Sequence, residues 1–312
     1  MFDLASGFVV LTGAERGAYL HSLVTNRIAD LAPGAGRRAF LLTTKGRVLA
    51  DVLACETGDE LWLENAAGSG APSAGEPVQR LLKKYFFGQD VAFEDRSEAW
   101  RSLSLQGPES ESLLERLGLA PPPAEPGAHA AGELAGATVR AVRWSDTGES
   151  GFRLWVPAHA REDVRAALAG AGAESGSAEA WTVLQIEAGV AAFGRELGEE
   201  TIPLEAPVDD AISFDKGCYP GQEVIARLHV RGRPARRLRG LRLEAPAAPG
   251  STLDAPGKPA AARVTASGVS PALGPVALAF VHRDYVEPGT RLTAEDGSEA
   301  EVAELPMLPV HA

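Results

Sequence analysis

Hydrophobic and polar positions alternate between helical and strand-like periods over roughly the first 230 residues. Helical periods predict helices over 78–86, 108–117 and 161–169. Gly88 stands where the first of these helices would end. Two apolar runs, 39–44 and 48–53, flank a turn that contains Gly46, and they predict a β-hairpin. This mixture of elements predicts an α+β fold.

The pattern changes after Arg242, where short strand-like segments separated by proline and glycine replace the helical periods. Such spacing is typical of a small β-barrel. We therefore predict two domains. The first is an α+β region over residues 1–235, formed by two interleaved subdomains, and the second is a C-terminal β-barrel over residues 236–312.

Local signals predict where several elements begin or are interrupted. Thr12 and Glu15 have the spacing of a capping box, so a helix should start beside them. Gly221 precedes polar and then apolar residues that predict another helix start. The Ala/Gly/Pro-rich segments near 120–137 and 169–179 lack a period and are predicted to be loops.

Composition favours a soluble globular protein, since 45% of the 312 residues are hydrophobic and 23% are charged. A net charge of -12 argues against direct DNA binding, which needs basic surface to neutralise phosphates. The N-terminus shows no cleavable apolar leader, and Pro271 and Pro275 break the longest apolar tract. We expect a cytoplasmic protein without a membrane span.

The two cysteines lie in different settings. Cys55 belongs to an apolar run, whereas Cys218 lies in a turn rich in glycine and proline. They predict neither a disulfide framework nor a metal site. Lys216 and a helix start at Gly221 would both favour thiolate over thiol at Cys218, which makes it a candidate functional residue. The alternative is that Cys218 is a small residue tolerated in a tight turn.

Three strings between residues 185 and 239 carry a family resemblance: Q-I-E-A-G-V-A-A-F-G-R-E-L-G-E-E-T-I-P-L-E-A, then S-F-D-K-G-C-Y-P-G-Q-E-V-I-A-R, then R-G-R-P-A-R-R-L-R. They resemble the YgfZ-type folate-binding proteins, relatives of the glycine-cleavage T-protein (aminomethyltransferase) and of a mitochondrial iron–sulfur assembly factor. The string over 216–223 is specific, whereas I-E-A-G is shared with the aminomethyltransferases. Weaker similarities at 46–51 and 147–152 extend the resemblance over most of the chain.

The resemblance implies a three-lobed α+β fold with a central folate channel and a small C-terminal β-barrel. It implies tetrahydrofolate, or another folate, as the cofactor. It also implies an accessory role in iron–sulfur cluster assembly or repair, including the maturation of tRNA-modifying enzymes. Iron–sulfur enzymes or assembly proteins would then be partners, and whether the protein is an enzyme stays open.

The same resemblance assigns candidate site residues. Glu187 would accept the paired donors of the pterin, and Asp51 lies where the aminomethyltransferases have a catalytic aspartate, although Ala50 replaces its acidic neighbour. Cys218 and Asp51 are the predicted catalytic residues. The predicted cofactor-binding residues are Glu187, Asp51, Lys216, Tyr219, Gln222 and Arg227. The alternatives are a solvent-facing Glu187 and an Asp51 that merely ends a strand.

Seven arginines and no acidic residue lie between residues 227 and 242, a local reversal of sign in an acidic chain. This arginine-rich segment could bind an anionic partner. Alternatively, its arginines could pair with acidic residues between 196 and 210.

Two further functions remain open. The protein could be a folate-dependent one-carbon transferase in which Asp51 performs acid/base chemistry and Cys218 is incidental. It could also be a non-catalytic folate-binding adaptor that docks through the arginine-rich segment.

Overall fold

Antiparallel strands form most of the fold, and the computed structural model describes residues 1–66 and 75–309. In chain order the strands are β1 (Phe2–Leu4), β2 (Ser6–Thr12), β3 (Gly36–Leu42), β4 (Val48–Glu56), β5 (Leu61–Ala66), β6 (Ala92–Asp95), β7 (Trp100–Gln106), β8 (His129–Leu134), β9 (Ala137–Arg143), β10 (Gly151–Pro157), β11 (Arg236–Leu243), β12 (Thr252–Ala255), β13 (Lys258–Ser270), β14 (Gly274–His282), β15 (Arg291–Ala294) and β16 (Glu299–Ala303). The helices are α1 (Arg16–His21), α2 (Gly75–Lys83), α3 (Ser110–Arg116), α4 (Arg161–Gly170), α5 (Ala178–Ala188) and α6 (Gln222–Arg231). Among the helices of these two ranges, none combines the length and apolar composition that a membrane span needs.

The strands form two open sheets and one closed barrel over the described residues. The first sheet has the order β3-β4-β5-β2-β6, the second has the order β1-β7-β10-β9-β8, and β11-β14-β13-β12-β15-β16 closes into the barrel. Strand β1 pairs with β7, so the chain begins in the second sheet before β2 enters the first. The α+β class and the C-terminal barrel are confirmed. The domain boundary at residue 235 and the interleaved subdomains stay predictions.

The first sheet is buried on both faces, which explains its long apolar strands. On β2, Val9 and Leu11 point toward α1 and α2, whereas Phe8 and Val10 point toward the second sheet. There Phe8 meets Trp155 of β10 edge-on, with ring centroids 5.4 Å apart. Because successive side chains of a strand point to opposite faces, β2 contributes residues to two hydrophobic cores.

The β3–β4 hairpin joins the first sheet to the rest of the protein. Phe40 and Val48 share a core with Ile225 of α6 and with Leu238 and Leu278 of the barrel. The barrel is therefore packed against the rest of the protein, because residues of its outer wall share one hydrophobic core with the hairpin.

Three local predictions are corrected by the structure. Helix α2 ends at Lys83, and Phe86 is instead turned against Phe93 with ring centroids 5.8 Å apart. Glu15 makes no capping box with Thr12, since its carboxylate accepts a hydrogen bond from the Asp90 amide.

The third correction concerns the segment 120–137, which was predicted to be a loop but contains β8. This strand pairs with β9 through a two-residue turn at Ala135 and Gly136. Its small residues carry little periodic signal, so only the cross-strand pairing reveals it.

Gly221, the residue before α6, lies directly against the hairpin turn. It has φ +85°, and a Cβ at this position would lie 2.5 Å from the carbonyl oxygen of Thr43 and 3.1 Å from the Cα of Gly46. A side chain would therefore strain the backbone and push α6 away from the first sheet.

We expect Gly221→Ala to lower the free energy of unfolding by about 2–4 kcal/mol, from the left-handed backbone and the steric overlap together. Chemical denaturation measures this loss. Gly217→Ala is the matched control, because no atom outside its chain neighbours lies within 4 Å of its Cβ position and its φ is not positive. The control should change stability by less than about 0.5 kcal/mol. Equal unfolding midpoints for the two variants would contradict the close approach.

Candidate functional site

A cavity of about 640 Å³ lies where the two sheets, α5 and the segments 189–195, 207–210 and 305–306 meet. Its polar wall combines acidic and basic side chains, namely Asp3, Asp51, Glu64, Asp146, Asp210, Arg38, Arg153 and Arg195. The volume is in the ordinary range for a site that encloses a small organic ligand. We call this space the central cavity.

Asp51 lies on β4 and reaches the central cavity beside Arg38 of β3. Arg38 donates two parallel hydrogen bonds, from Nε to Oδ1 at 2.9 Å and from Nη2 to Oδ2 at 2.6 Å. Both side chains are largely buried, with 14% and 13% exposed. A bidentate pair of this kind fixes the Asp51 carboxylate in one orientation.

A second ion network joins the two sheets at the cavity wall. Arg153 of β10 donates to Asp146 with Nη2 at 2.6 Å and to Glu64 of β5 with Nη1 at 3.0 Å. Glu64 also accepts from Trp155 at 2.9 Å, and Asp146 accepts from Ser104 at 2.8 Å. Burial alone would lower the pKa of Arg153, but the two carboxylates outweigh it and hold that pKa above its usual value.

Two polar atoms at the cavity wall are buried without a hydrogen-bond partner among the described residues. They are the Ser145 hydroxyl oxygen and Nη2 of Arg195. The Nε of Arg195 donates to Glu196, so only one side of its guanidinium is occupied. A water molecule or a ligand in the cavity would be the acceptor that these buried donors need.

Glu187 does not line the central cavity, although Gln185 and Ala188 of the same helix do. Its side chain is half-buried, and its backbone oxygen accepts from the Met307 amide at 2.6 Å. The role of Glu187 as a pterin contact stays a prediction.

The Cys218 segment, residues 216–223, forms a surface that is separate from the central cavity. Cys218 is exposed, as the turn composition indicated, and it lines neither the central cavity nor a second cavity beside α6. Tyr219 is buried, Gln222 is half-buried at the start of α6, and Arg227 is exposed on that helix. Of the predicted site residues, only Asp51 lines the central cavity.

Lys216 is buried and anchors the Cys218 segment to α1. Its ammonium donates to the carbonyl oxygens of His21 and Val24 and lies 4.9 Å from the ring centroid of Tyr219. Burial lowers the pKa of Lys216 to about 8, while the nearby Cys218 acts to raise it. The cation expected next to the thiol is therefore present, but it is held by backbone carbonyls.

The arginine-rich segment divides between paired and exposed side chains. Arg236 donates to Glu205 at 3.0 Å, which agrees with the alternative that these arginines pair with acidic residues between 196 and 210. Arg239 donates to the Val286 carbonyl at 3.0 Å. The exposed members are Arg227, Arg231, Arg233, Arg237 and Arg242. Among the described residues none of these five forms an ion pair, so an anionic partner remains a prediction.

One cause explains why three polar residues of the central cavity were not predicted from the sequence. Arg38, Glu64 and Arg153 lie on strands whose register brings them to one cavity, and 13 to 102 residues separate them from Asp51. Glu64 does carry a signal, because an acid within the apolar run Leu61–Ala66 needs a buried partner.

Comparison with known proteins gives the family. Residues 1–216 match the GCVT N-terminal domain. The chain belongs to the GCVT family. It is 32% identical to an aminomethyltransferase of Saccharopolyspora erythraea, in an alignment that covers all of this chain and 86% of that protein. It is also 32% identical to an aminomethyltransferase of Thermus thermophilus over 99% of this chain and 87% of that protein.

A solved structure confirms the expected architecture. The glycine cleavage system aminomethyltransferase T of Bartonella henselae superposes with a TM-score of 0.87 and 23% identity, over 99% of this chain and 86% of that one. The T-protein-like fold and the folate-binding, aminomethyltransferase-like superfamily are thus established. The narrower YgfZ-type resemblance is not part of these matches.

Replacement of the cation between Glu64 and Asp146 tests the ion network. We expect Arg153→Met to lower the free energy of unfolding by about 3–5 kcal/mol, since two carboxylates would lose their partner in a buried place. Arg291→Met is the control, because Arg291 and Glu299 form an exposed pair worth less than about 1 kcal/mol. Similar losses in denaturant titrations of both variants would show that the network is not essential.

Cys218 and Cys55 should differ sharply toward an alkylating reagent. Cys55 is buried in β4 and burial raises the pKa of its thiol, whereas Cys218 is exposed. We expect iodoacetamide to label Cys218 at least tenfold faster, which peptide mass spectrometry of the native protein measures. Cys218→Ser should remove the fast phase and Cys55→Ser should keep it. Faster labelling of Cys55 would contradict the assignment.

Proposed function

We propose that the protein binds tetrahydrofolate in the central cavity and acts as an accessory factor for iron–sulfur proteins. The observation that carries the folate part is the central cavity itself, which lies where the two sheets and α5 of a GCVT-family fold meet and has Asp51 on its wall. The YgfZ-like string at 216–223 supports the accessory part.

The residues present fit a folate. A pterin offers an amino group and a ring N–H as paired donors, for which the cavity carboxylates are acceptors. Its carbonyl oxygen or the glutamate carboxylate would satisfy the unpaired donors of Ser145 and Arg195. Trp181 and Phe193 line the same space and offer apolar contact to the ring. Bound tetrahydrofolate would supply one-carbon chemistry at its N5 and N10 nitrogens.

The part that Asp51 plays follows from its bidentate bonds to Arg38. Removing a proton from a ligand would weaken this pairing, whereas accepting a hydrogen bond would leave it intact. Asp51 therefore suits electrostatic orientation of a ligand amine better than repeated proton transfer.

The exposed thiol suits contact with another protein. Cys218 lies outside the central cavity, so a direct exchange between a bound pterin and the thiol has no support from the geometry. An accessible thiol can instead bind an iron- or sulfur-containing group on a client enzyme or an assembly protein. Such clients, including tRNA-modifying enzymes, and a cytoplasmic location are part of this proposal.

A second candidate is a folate-dependent aminomethyltransferase. It is favoured by the names of the relatives and by the position of Asp51 on the cavity wall. In that case Cys218 would have no role in turnover. The folate-binding adaptor is the variant of the first proposal in which Cys218 is dispensable.

Separate assays of binding and function distinguish these candidates. We expect native protein and Cys218→Ser to bind tetrahydrofolate with affinities within about twofold in calorimetric titration, since the thiol lies outside the cavity. In a strain that lacks the protein, Cys218→Ser should fail to restore the activity of iron–sulfur enzymes, and Cys55→Ser should restore it.

Two outcomes would redirect the assignment. Turnover of an aminomethyl donor with tetrahydrofolate, retained by Cys218→Ser and lost in Asp51→Asn, would establish the transferase. Full complementation by Cys218→Ser without such turnover would establish the adaptor.

A further inference from the structure

The outer side of α6 combines positive charge with exposed apolar surface. Ile225 is buried in the core that α6 shares with the β3–β4 hairpin and the barrel, which fixes the inner side of the helix. Arg227, Val230 and Arg231 are exposed, and Val230 is 74% exposed. Residues three and four positions apart lie on one face of a helix, so these three side chains are neighbours. Arg233, which is also exposed, follows two residues after the helix ends.

Phe214 adds a second large apolar side chain to this surface. Its ring stacks on the ring of His229, with centroids 3.7 Å apart and an angle of 18° between the planes, yet 41% of the residue is exposed. His229 immediately precedes Val230, so the stack holds Phe214 beside the C-terminal half of α6. An aromatic ring that is already held in place loses little freedom when a partner contacts it. We call Phe214, Arg227, Val230, Arg231 and Arg233 together the basic face.

The charge of the basic face is opposite to that of the whole chain, which is -12. Its three arginines form no ion pair among the described residues. The nearest acids in the sequence are Asp215, which pairs with Arg27 at 2.6 Å, and Glu223 in the first turn of α6. The basic face therefore has a local excess of positive charge. Opposite charge on a partner would favour both its encounter with this surface and its orientation there.

Cys218 lies close enough to the basic face to share a partner with it. The exposed Cys218 precedes Gln222, the first residue of α6, by four positions, so their Cα atoms lie at most about 14 Å apart. Helix α6 has 10 residues. It is therefore about 15 Å long. A protein partner covers about 800 Å² of surface, roughly 30 Å across, so one partner can contact both the thiol and the basic face.

We infer that the basic face binds an acidic segment of the protein that Cys218 contacts. This inference rests on the proposed function, since it gives the client or assembly protein a docking surface next to the thiol. The two apolar side chains favour a protein over an RNA, because Val230 offers neither a charge to a phosphate nor a ring to a base. Phe214 and Val230 would contact apolar residues of the partner, and the arginines would pair with its carboxylates.

Disulfide exchange with a synthetic peptide tests this docking. The probe is an acidic peptide of glutamate, serine and leucine that carries one cysteine as its 2-pyridyl disulfide. A control peptide has glutamine at every glutamate position. The Cys218 thiolate attacks the sulfur of the peptide cysteine, a disulfide forms between protein and peptide, and pyridine-2-thiolate leaves. We expect the acidic peptide to react at least about fivefold faster than the control peptide at low salt, and equally fast at about 1 M salt.

Charge reversal on α6 should remove this preference. We expect the double variant Arg227→Glu/Arg231→Glu to react with the two peptides at rates within about twofold, since its face would repel glutamates. Arg242→Glu is the matched control, because Arg242 is exposed on β11 and forms no ion pair among the described residues. It should keep the preference. Val230→Asp should lower it at least about twofold.

Two measurements separate docking from a change in the thiol or in the fold. Labelling with the uncharged iodoacetamide reports the reactivity of Cys218 itself, so each peptide rate is divided by the iodoacetamide rate of the same variant. Every variant should bind tetrahydrofolate within about twofold of native protein, because the basic face does not line the central cavity. In a strain that lacks the protein, the double variant should fail to restore iron–sulfur enzymes, and Arg242→Glu should restore them.

The outcomes distinguish the docking surface from the proposed function. If native protein reacts equally with both peptides, or if the double variant keeps the preference, the docking surface is wrong. Restoration by the double variant where Cys218→Ser fails would refute the surface alone and leave the accessory function intact. If Cys218→Ser restores the iron–sulfur enzymes, that function of the thiol is wrong whatever the peptides show.

Other occupants of the basic face would also overturn the inference. An RNA oligonucleotide that binds native protein more tightly than the acidic peptide, and loses affinity in the double variant, would make the partner a nucleic acid. Dimerisation of native protein in analytical ultracentrifugation, abolished by Val230→Asp, would make the partner a second copy of the chain.

Discussion

The fold depends on one buried cation. Arg153 stands between Glu64 of the first sheet and Asp146 of the second, next to the aromatic contact of Phe8 and Trp155. Apolar packing alone would let the sheets slide, because it is non-directional. Hydrogen bonds from a planar guanidinium set one relative position. The central cavity has a defined shape because this junction forms one of its walls.

Much of the fold could be predicted from period and punctuation. The β3–β4 hairpin, α4, α6 and the barrel strands carry repeating apolar patterns or clear turn residues, and each is present. Strand β8 was missed because its small residues depend on β9 for order, and the end of α2 was misplaced because Phe86 contacts Phe93, which lies on another element. Local sequence does not encode such tertiary preferences.

The site was harder to predict than the fold. The motif around Cys218 is contiguous, so the sequence alone located an exposed thiol and the cation beside it. The central cavity is assembled from distant residues, and of its acids only Asp51 belonged to a recognisable string. Asp210 gave no local signal. Its backbone carbonyl is held by Asn26 and its side chain lies near Arg38, and these residues meet only in the folded chain.

The bonds of Lys216 to the carbonyl oxygens of His21 and Val24 affect how variants of this protein should be interpreted. Residues 25 and 26 follow immediately and hold the backbone on which Asp210 stands. A substitution of Lys216 would thus remove the hydrogen bonds that hold the backbone before residues 25 and 26, and it would also change the surroundings of the Cys218 thiol. Its phenotype would mix two causes, so Cys218 itself is the position at which the chemistry of the thiol can be isolated.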